Sequence, residues 1–318
     1  MKLPSIKINF LTIFIILFPL ITSLGFYGYG LDFINSYYKN PISLGSNHFI
    51  GWNIAATMMG PIALGPFIVS LFLPLSIYFL IKEHLHKNKE FNKSLVNFSF
   101  VFLTHNWAVI LPILNAIKQG LATGPFYLII LLLDKLNKRK QKFKILIIIL
   151  LSLTLNYLHK LGTLFFVILL LSFLILSIKK NQRRISLITS SILITISLIY
   201  FYGIGNISTR IIGFDLRLPF IIFAVSYCLF ILLFKKKEFL EKYIFIVPFY
   251  MNIFSIAFCF LGYNLEFERL QMTVFIPQYI AILSLIKGQN KYIVLLTTSV
   301  ILFILTVFVG VFRSFQTL

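Results

Sequence analysis

Apolar runs long enough, or nearly long enough, to cross a bilayer recur along the whole chain. They fall near residues 8–27, 61–81, 94–114, 119–134, 145–159, 162–178, 185–203, 218–234, 243–262, 271–286 and 292–312. A spanning helix needs about 20 predominantly apolar residues. In lipid only helices and closed barrels satisfy their own backbone N–H and C=O groups. The pattern therefore predicts an all-α, polytopic integral membrane protein. The region 145–178 reads either as two short helices hinged at His159–Gly162 or as one long re-entrant excursion, so the expected count is about 9–11 transmembrane helices. Composition agrees: 59% of the 318 residues are hydrophobic and 12% charged, against roughly 45–50% apolar in ordinary soluble domains.

A net charge of +20 would suggest a nucleic-acid partner in a soluble protein. Here the charges sort by loop. With the N-terminus cytoplasmic, the inside segments 1–7, 82–94, 134–144, 179–184, 235–242 and 287–291 hold 22 of the 29 Lys and Arg residues, the bias expected of cytoplasmic loops. The basic charge is then a topological address, and no nucleic acid is required. The other seven are Lys39, Lys118, Lys160, Arg210, Arg217, Arg269 and Arg313, and six of them lie at or between helix ends on the opposite face. The same face collects Asp32, Asp215, Glu266, Glu268, His48 and His159. Ionisable groups near the apolar zone are costly unless they pair or face water. The expectation is one transmembrane domain over 1–318, with a polar cavity open to the periplasmic side.

Other features say less. Cys228 and Cys259 sit in predicted spans without metal-site spacing, so neither disulfide nor zinc is expected. His84 and His86, in KEHLHKNKE, read as a solvated charged face. There is no phosphate-binding GxxxxGK[ST] loop. The segment SLGSNHFIGWNIAATMMG reads as a surface amphipathic helix, and Tyr27, Tyr29, Tyr37, Tyr38 and Trp52 as an interfacial belt. Pro61, Pro66 and Pro74 crowd the second span, and Pro248 and Pro277 fall in later ones, so kinked helices are expected.

Four segments carry a resemblance. AIKQGLATGPFYLIILLLDK, followed after a basic loop by LNYLHKLGTLFFVILLL, resembles the EpsG family of Wzy-type polysaccharide polymerases, whose members open one helix with Arg-Gln-x-hydrophobic-Ala and place a His near the end of the next. YGYGLDFINSYYKN is similar to the family's Gly-x-Asp-x-x-x-Tyr segment, at Gly30, Asp32 and Tyr37, the last displaced by one. EFERLQMTVFIPQYIAIL is similar to its late Arg, at Arg269. The order holds over roughly residues 1–290, and Lys118 stands where the family usually has Arg.

The resemblance implies a GT-C-like helical architecture and an inner-membrane glycosyltransferase that needs neither metal nor cofactor. Its donor and acceptor would both be oligosaccharides linked to undecaprenyl diphosphate, joined on the periplasmic face to make O-antigen or capsule, with a chain-length regulator as a further partner. Without a metal, a diphosphate leaving group must be met by fixed cations. Lys118, Arg210, Arg217 and Arg269 are the candidates, Lys118 helped by a helix N-terminus. His159 is the first choice for general base, its ordinary pKa near 6.5 suiting the task, with Glu268 and Asp32 behind it. Glu266 and Arg269 are three apart and can share a helix face. A lipid-linked oligosaccharide flippase, a membrane sugar O-acyltransferase and an O-antigen ligase are the competing classes.

Overall fold

The computed structural model describes residues 10–39, 49–85, 93–136, 141–202, 217–233 and 240–308, with 311 and 315. Among them are thirteen α-helices: α1 (Phe10–Ser23), α2 (Phe49–Ala56), α3 (Leu64–Leu85), α4 (Lys93–Thr104), α5 (Trp107–Leu114), α6 (Ile117–Lys135), α7 (Gln141–Leu158), α8 (Leu161–Ser177), α9 (Arg183–Tyr202), α10 (Arg217–Leu233), α11 (Tyr243–Phe260), α12 (Asn264–Leu283) and α13 (Asn290–Phe308). A π-helical turn (Phe33–Tyr38) and a two-residue antiparallel hairpin, β1 (Met58–Met59) and β2 (Ile62–Ala63), complete the elements.

Every predicted apolar run holds a helix, with corrections. The run at 61–81 opens with β2, and α3 continues to Leu85, taking His84 into a buried position at 4% exposure instead of a solvated face. His86 and His48 lie outside the described residues. The run at 94–114 is two helices, α4 and α5, bent by 54°. Asn106 makes that break: its Oδ1 accepts the Ala108 N–H at 2.8 Å, satisfying a donor that starting a new helix leaves open. Residues 145–178 form two helices, α7 and α8, meeting at His159–Lys160. Helix α12 begins at Asn264, so Glu266, Glu268 and Arg269 belong to its first turns.

Five helices are long and apolar enough to cross a membrane: α3, α6, α9, α11 and α13; the bent α4/α5 pair makes a sixth. Four more stretches, Phe10–Ser23, Phe143–Leu158, Leu161–Ser177 and Pro219–Leu233, are apolar but shorter. The expected 9–11 spans are thus not reached by length and composition among the described residues. The shortfall lies in helix length, not in polarity, except at α12. On α9, Ile185, Ile188, Ile192, Ile196 and Ile199 are all at least half-exposed or nearly so, an apolar stripe at helical spacing that suits lipid. These features mark a membrane-embedded, polytopic helical protein.

The chain forms two compact units: Met1–Pro125 with Tyr157–His159 and Ile286–Leu318, and Phe126–Asn156 with Lys160–Leu285. In the first, α1 packs on α3, and Thr22 Oγ1 donates to Ser70 Oγ at 2.8 Å. Helix α4 packs on α13. The Tyr292 hydroxyl donates to the Leu85 carbonyl at 3.0 Å, joining the start of α13 to the end of α3. The start of α6 lies close on α3: a Cβ at Gly120 would meet Val69 Cγ1 at 2.5 Å, and one at Gly124 the Leu73 nitrogen at 3.3 Å. Two glycines one turn apart let the helix backbones approach, the usual device where lipid offers no hydrophobic drive between helices.

In the second unit α11 is the hub, packed by α8, α9, α10 and α12. Ile244, Ile246, Val247, Phe249, Tyr250 and Met251 are fully buried, so the helix is enclosed on all sides. Side-chain amides bind α12 to it: Gln271 Nε2 donates to Asn252 Oδ1 (3.2 Å) and Ser255 Oγ (2.8 Å), and Asn252 Nδ2 to Gln278 Oε1 (2.7 Å). Asp134, at the end of α6, accepts the Tyr243 N–H at 2.6 Å and the Ile244 N–H at 3.1 Å, capping α11 from 109 residues away. Arg183 donates to the Leu176, Ile178 and Leu240 carbonyls, closing the end of α8.

Asp134→Ala leaves two helix-start donors without their acceptor, a loss of about 1–2 kcal/mol for a cap. Thermal unfolding of the purified protein in detergent is expected several degrees lower, with Asp134→Asn intermediate.

Candidate functional site

The break between α5 and α6 organises the first unit's candidate site. Helix α5 ends at Leu114, and after two residues α6 opens at Ile117 with Lys118 in its first turn. Asn115 fills the gap. Its Oδ1 accepts the Asp32 N–H at 2.8 Å, its Nδ2 reaches Asp32 Oδ2 at 3.4 Å, and the Gly30 N–H donates to the Leu114 carbonyl at 2.9 Å. Gly30 is needed for this approach, because a Cβ there would lie 2.2 Å from Asn115 Oδ1 and 2.4 Å from its Cβ. Gly30-x-Asp32 is therefore hooked onto the residue three before Lys118.

Below the hook, aromatic rings hold the lysine. Lys118 Nζ stands 4.4 Å from the Trp52 ring centroid and 5.8 Å from that of Tyr37, and the two rings are 4.9 Å apart. A cation over a ring face is attracted by the quadrupole, worth about 0.5–2 kcal/mol depending on desolvation. Tyr37 is buried at 6% and Tyr29 at 2%, so neither belongs to an interfacial belt; Tyr38 is exposed. Tyr29 donates to the Ser23 carbonyl at 2.7 Å, and burial pushes its phenol up to about 12.

Trp52 lies on α2, one side of which packs inward. Ala55 and Gly51 are buried, and a Cβ at Gly65 would meet Ala55 Cα at 2.8 Å. A Cβ at Gly51 would lie 2.0 Å from the Leu158 carbonyl oxygen. Leu158 is the last residue of α7 and immediately precedes His159, which is buried at 5%. Helix α2 thus carries Trp52 to Lys118 with one residue and meets the chain beside His159 with the one before.

The remaining candidates belong to the second unit or lie outside the description. Glu268 and Arg269 are half-buried in the opening turns of α12. Glu266 in the first turn suits the positive end of the helix dipole and pairs with Lys160 at 3.0 Å, so its partner is the residue that opens α8, where the spacing had suggested Arg269. At this end of the unit the Asn156 side chain also accepts from Thr163 Oγ1 at 2.8 Å. Arg210 lies outside the described residues. Arg217 is the first residue of α10, and its side chain is outside the description. Among the described residues no group of three His, Cys, Asp or Glu could hold a metal ion.

Sequence reasoning missed Asn115 and misassigned Trp52. An Asn closing an apolar run two residues before the next helix was the available signal, since such residues compete for backbone groups at helix ends. The arrangement puts an ammonium, held against two aromatic rings, at a helix start, where the helix dipole favours an anion.

Gly30→Ala is expected to displace Asn115, break both bonds to Asp32, and lower stability by about 1–3 kcal/mol in denaturation of the purified protein. Asn115→Ala should remove the same bonds without the clash and cost less.

Comparisons of the chain with protein-family models, with curated proteins and with solved structures return no match.

Proposed function

We propose that the protein is an inner-membrane polysaccharide polymerase, a GT-C-like glycosyltransferase that joins undecaprenyl-diphosphate-linked oligosaccharide repeat units on the periplasmic face. The observation that carries the reading is the meeting of Gly30-x-Asp32, Tyr37 and Lys118: two segments on which the EpsG resemblance rests, about 80 residues apart in the chain, share one site.

In this reading Lys118 holds the diphosphate of the donor. Aromatic faces hold the ammonium, and the start of α6 adds the positive end of its dipole. Negative charge grows on the bridging phosphate oxygen as the glycosidic bond breaks, so a cation already in place stabilises the transition state more than the ground state. His159 takes the proton of the acceptor hydroxyl, a role that contributes about 10²–10⁴-fold. Asp32 is tied by Asn115 and serves better as a positioner of the loop than as the base. Arg269 and Glu268, like Arg210 and Arg217, belong to the second unit and stay candidates read from the sequence, the arginines for diphosphate and Glu268 for the base. The polar cavity, the bilayer orientation with a cytoplasmic N-terminus and a chain-length regulator as partner belong to the same proposal.

The test is a gel of surface polysaccharide from a strain lacking this gene, complemented with intact protein or variants. The intact protein should restore a ladder. Lys118→Ala, His159→Ala and Arg269→Ala should leave a single repeat unit, while Lys118→Arg, whose guanidinium can stack on Trp52, should restore the ladder. Total loss of polysaccharide in the deletion strain would favour a flippase or ligase, and an unchanged ladder with altered acetylation a sugar acyltransferase.

A further inference from the structure

Beside Lys118 one polar atom stands without a match. The Trp52 indole nitrogen, Nε1, is buried and has no hydrogen-bond partner among the described residues. An indole N–H only donates, so an acceptor is what satisfies it. A donor withdrawn from water and left unpaired carries its full desolvation penalty, and such groups in a folded protein call for an explanation. The ring is firmly placed. Helix α2 is seated at two points: a Cβ at Gly51 would lie 2.0 Å from the Leu158 carbonyl oxygen, and one at Gly65 would lie 2.8 Å from the Cα of the fully buried Ala55. The indole itself packs on Tyr37, centroids 4.9 Å apart.

Two features of the surroundings name the acceptor. The first is charge. Lys118 Nζ stands over the same ring, 4.4 Å from its centroid and at the start of α6, so a ligand that meets both groups is favoured when it is negative. An ammonium over the face also draws ring electron density toward itself, which makes the N–H at the ring's edge a stronger donor. An uncharged acceptor gains less here, because hydrogen bonds between ionised partners are the strong ones. The second is direction. A cation over the face and an N–H in the ring plane approach a ligand along nearly perpendicular lines. The two oxygens of a carboxylate sit on one carbon and diverge in one plane, whereas a diphosphate carries oxygens on two linked phosphorus atoms and can meet both donors at once.

We infer that the Trp52 indole N–H is a direct binding group, donating to an oxygen of the diphosphate that Lys118 holds. The inference rests on the polymerase reading for the identity of the diphosphate, and adds a contact which that reading lacks. Trp52 is then both the platform for the ammonium and a donor in its own right. Because Nε1 is screened from solvent, the oxygen reaches it through a local opening of the site, and the bond forms with little competition from water.

The chain has two tryptophans, Trp52 and Trp107. Full-length protein in nanodiscs, with tryptophan isotope-labelled at the indole nitrogen, therefore gives one magnetic-resonance signal for each, assigned with Trp107→Phe. Farnesyl diphosphate is expected to move the Trp52 indole proton downfield in a saturable titration and to leave Trp107 in place. Farnesol and glucuronate at the same concentrations should move neither. Trp52→benzothienylalanine keeps the bicyclic ring and puts sulfur where the N–H was. In calorimetry this variant is expected to bind farnesyl diphosphate about tenfold more weakly, the factor for one hydrogen bond to a charged group. Lys118→Ala should weaken binding as well. An unmoved Trp52 signal with full affinity in the benzothienylalanine variant, while Lys118→Ala still weakens binding, would overturn the inference and leave Lys118 as the diphosphate's cation. No binding of farnesyl diphosphate to the intact protein would overturn both, and an equal response of Trp52 to glucuronate or farnesol would overturn the assignment to diphosphate.

Discussion

A backbone group in lipid has no water to fall back on, so each place where a helix stops must be closed by the protein itself. Four described helix ends are closed in this way. Asn106 closes the start of α5, the Gly30 N–H the Leu114 carbonyl at the end of α5, Asp134 the start of α11 and Arg183 the end of α8. Three of the closing groups are side chains with two or more hydrogen-bonding atoms. Three of the four reach a segment distant in sequence or from another helix, so closing a break and joining two elements are one act. The fold's long-range connections are in large part a by-product of helix termination.

The candidate site inherits its geometry from this. Lys118 is where it is because α6 starts there, α6 starts there because Asn115 ends α5, and Asn115 brings in Asp32 and the π-helical turn that carries Tyr37. Gly120 and Gly124 then seat α6 on α3. The position of the lysine depends on small or short side chains, Gly30, Gly51, Asn115 and Gly120, that allow close approach.

The apolar runs were legible in the sequence because hydropathy reports compatibility with lipid, and every run became helix. What hydropathy does not report is whether a polar residue finds its partner inside the protein. NLEFERL fell outside the apolar run at 271–286 because it carries three charges, yet it forms the first turns of α12, where Glu266 suits the helix start and meets Lys160. His84 read as solvated from its charged neighbours and is buried. Trp52 read as a belt residue because nothing in its own segment names Lys118, 66 residues on. Gly30, Asp32, Tyr37 and Lys118 were visible as motif residues; that they converge rests on Asn115, whose partner is 83 residues away.

That separation bears on how the chain is made. The loop carrying Gly30, Asp32 and Tyr37 is synthesised before α3, α4 and α5 exist. Its anchor, the Asn115 amide, arrives only when α5 has been made. The first part of the site to be built therefore waits unfastened through the synthesis of the next helices, and it acquires its shape only when α6 is about to begin.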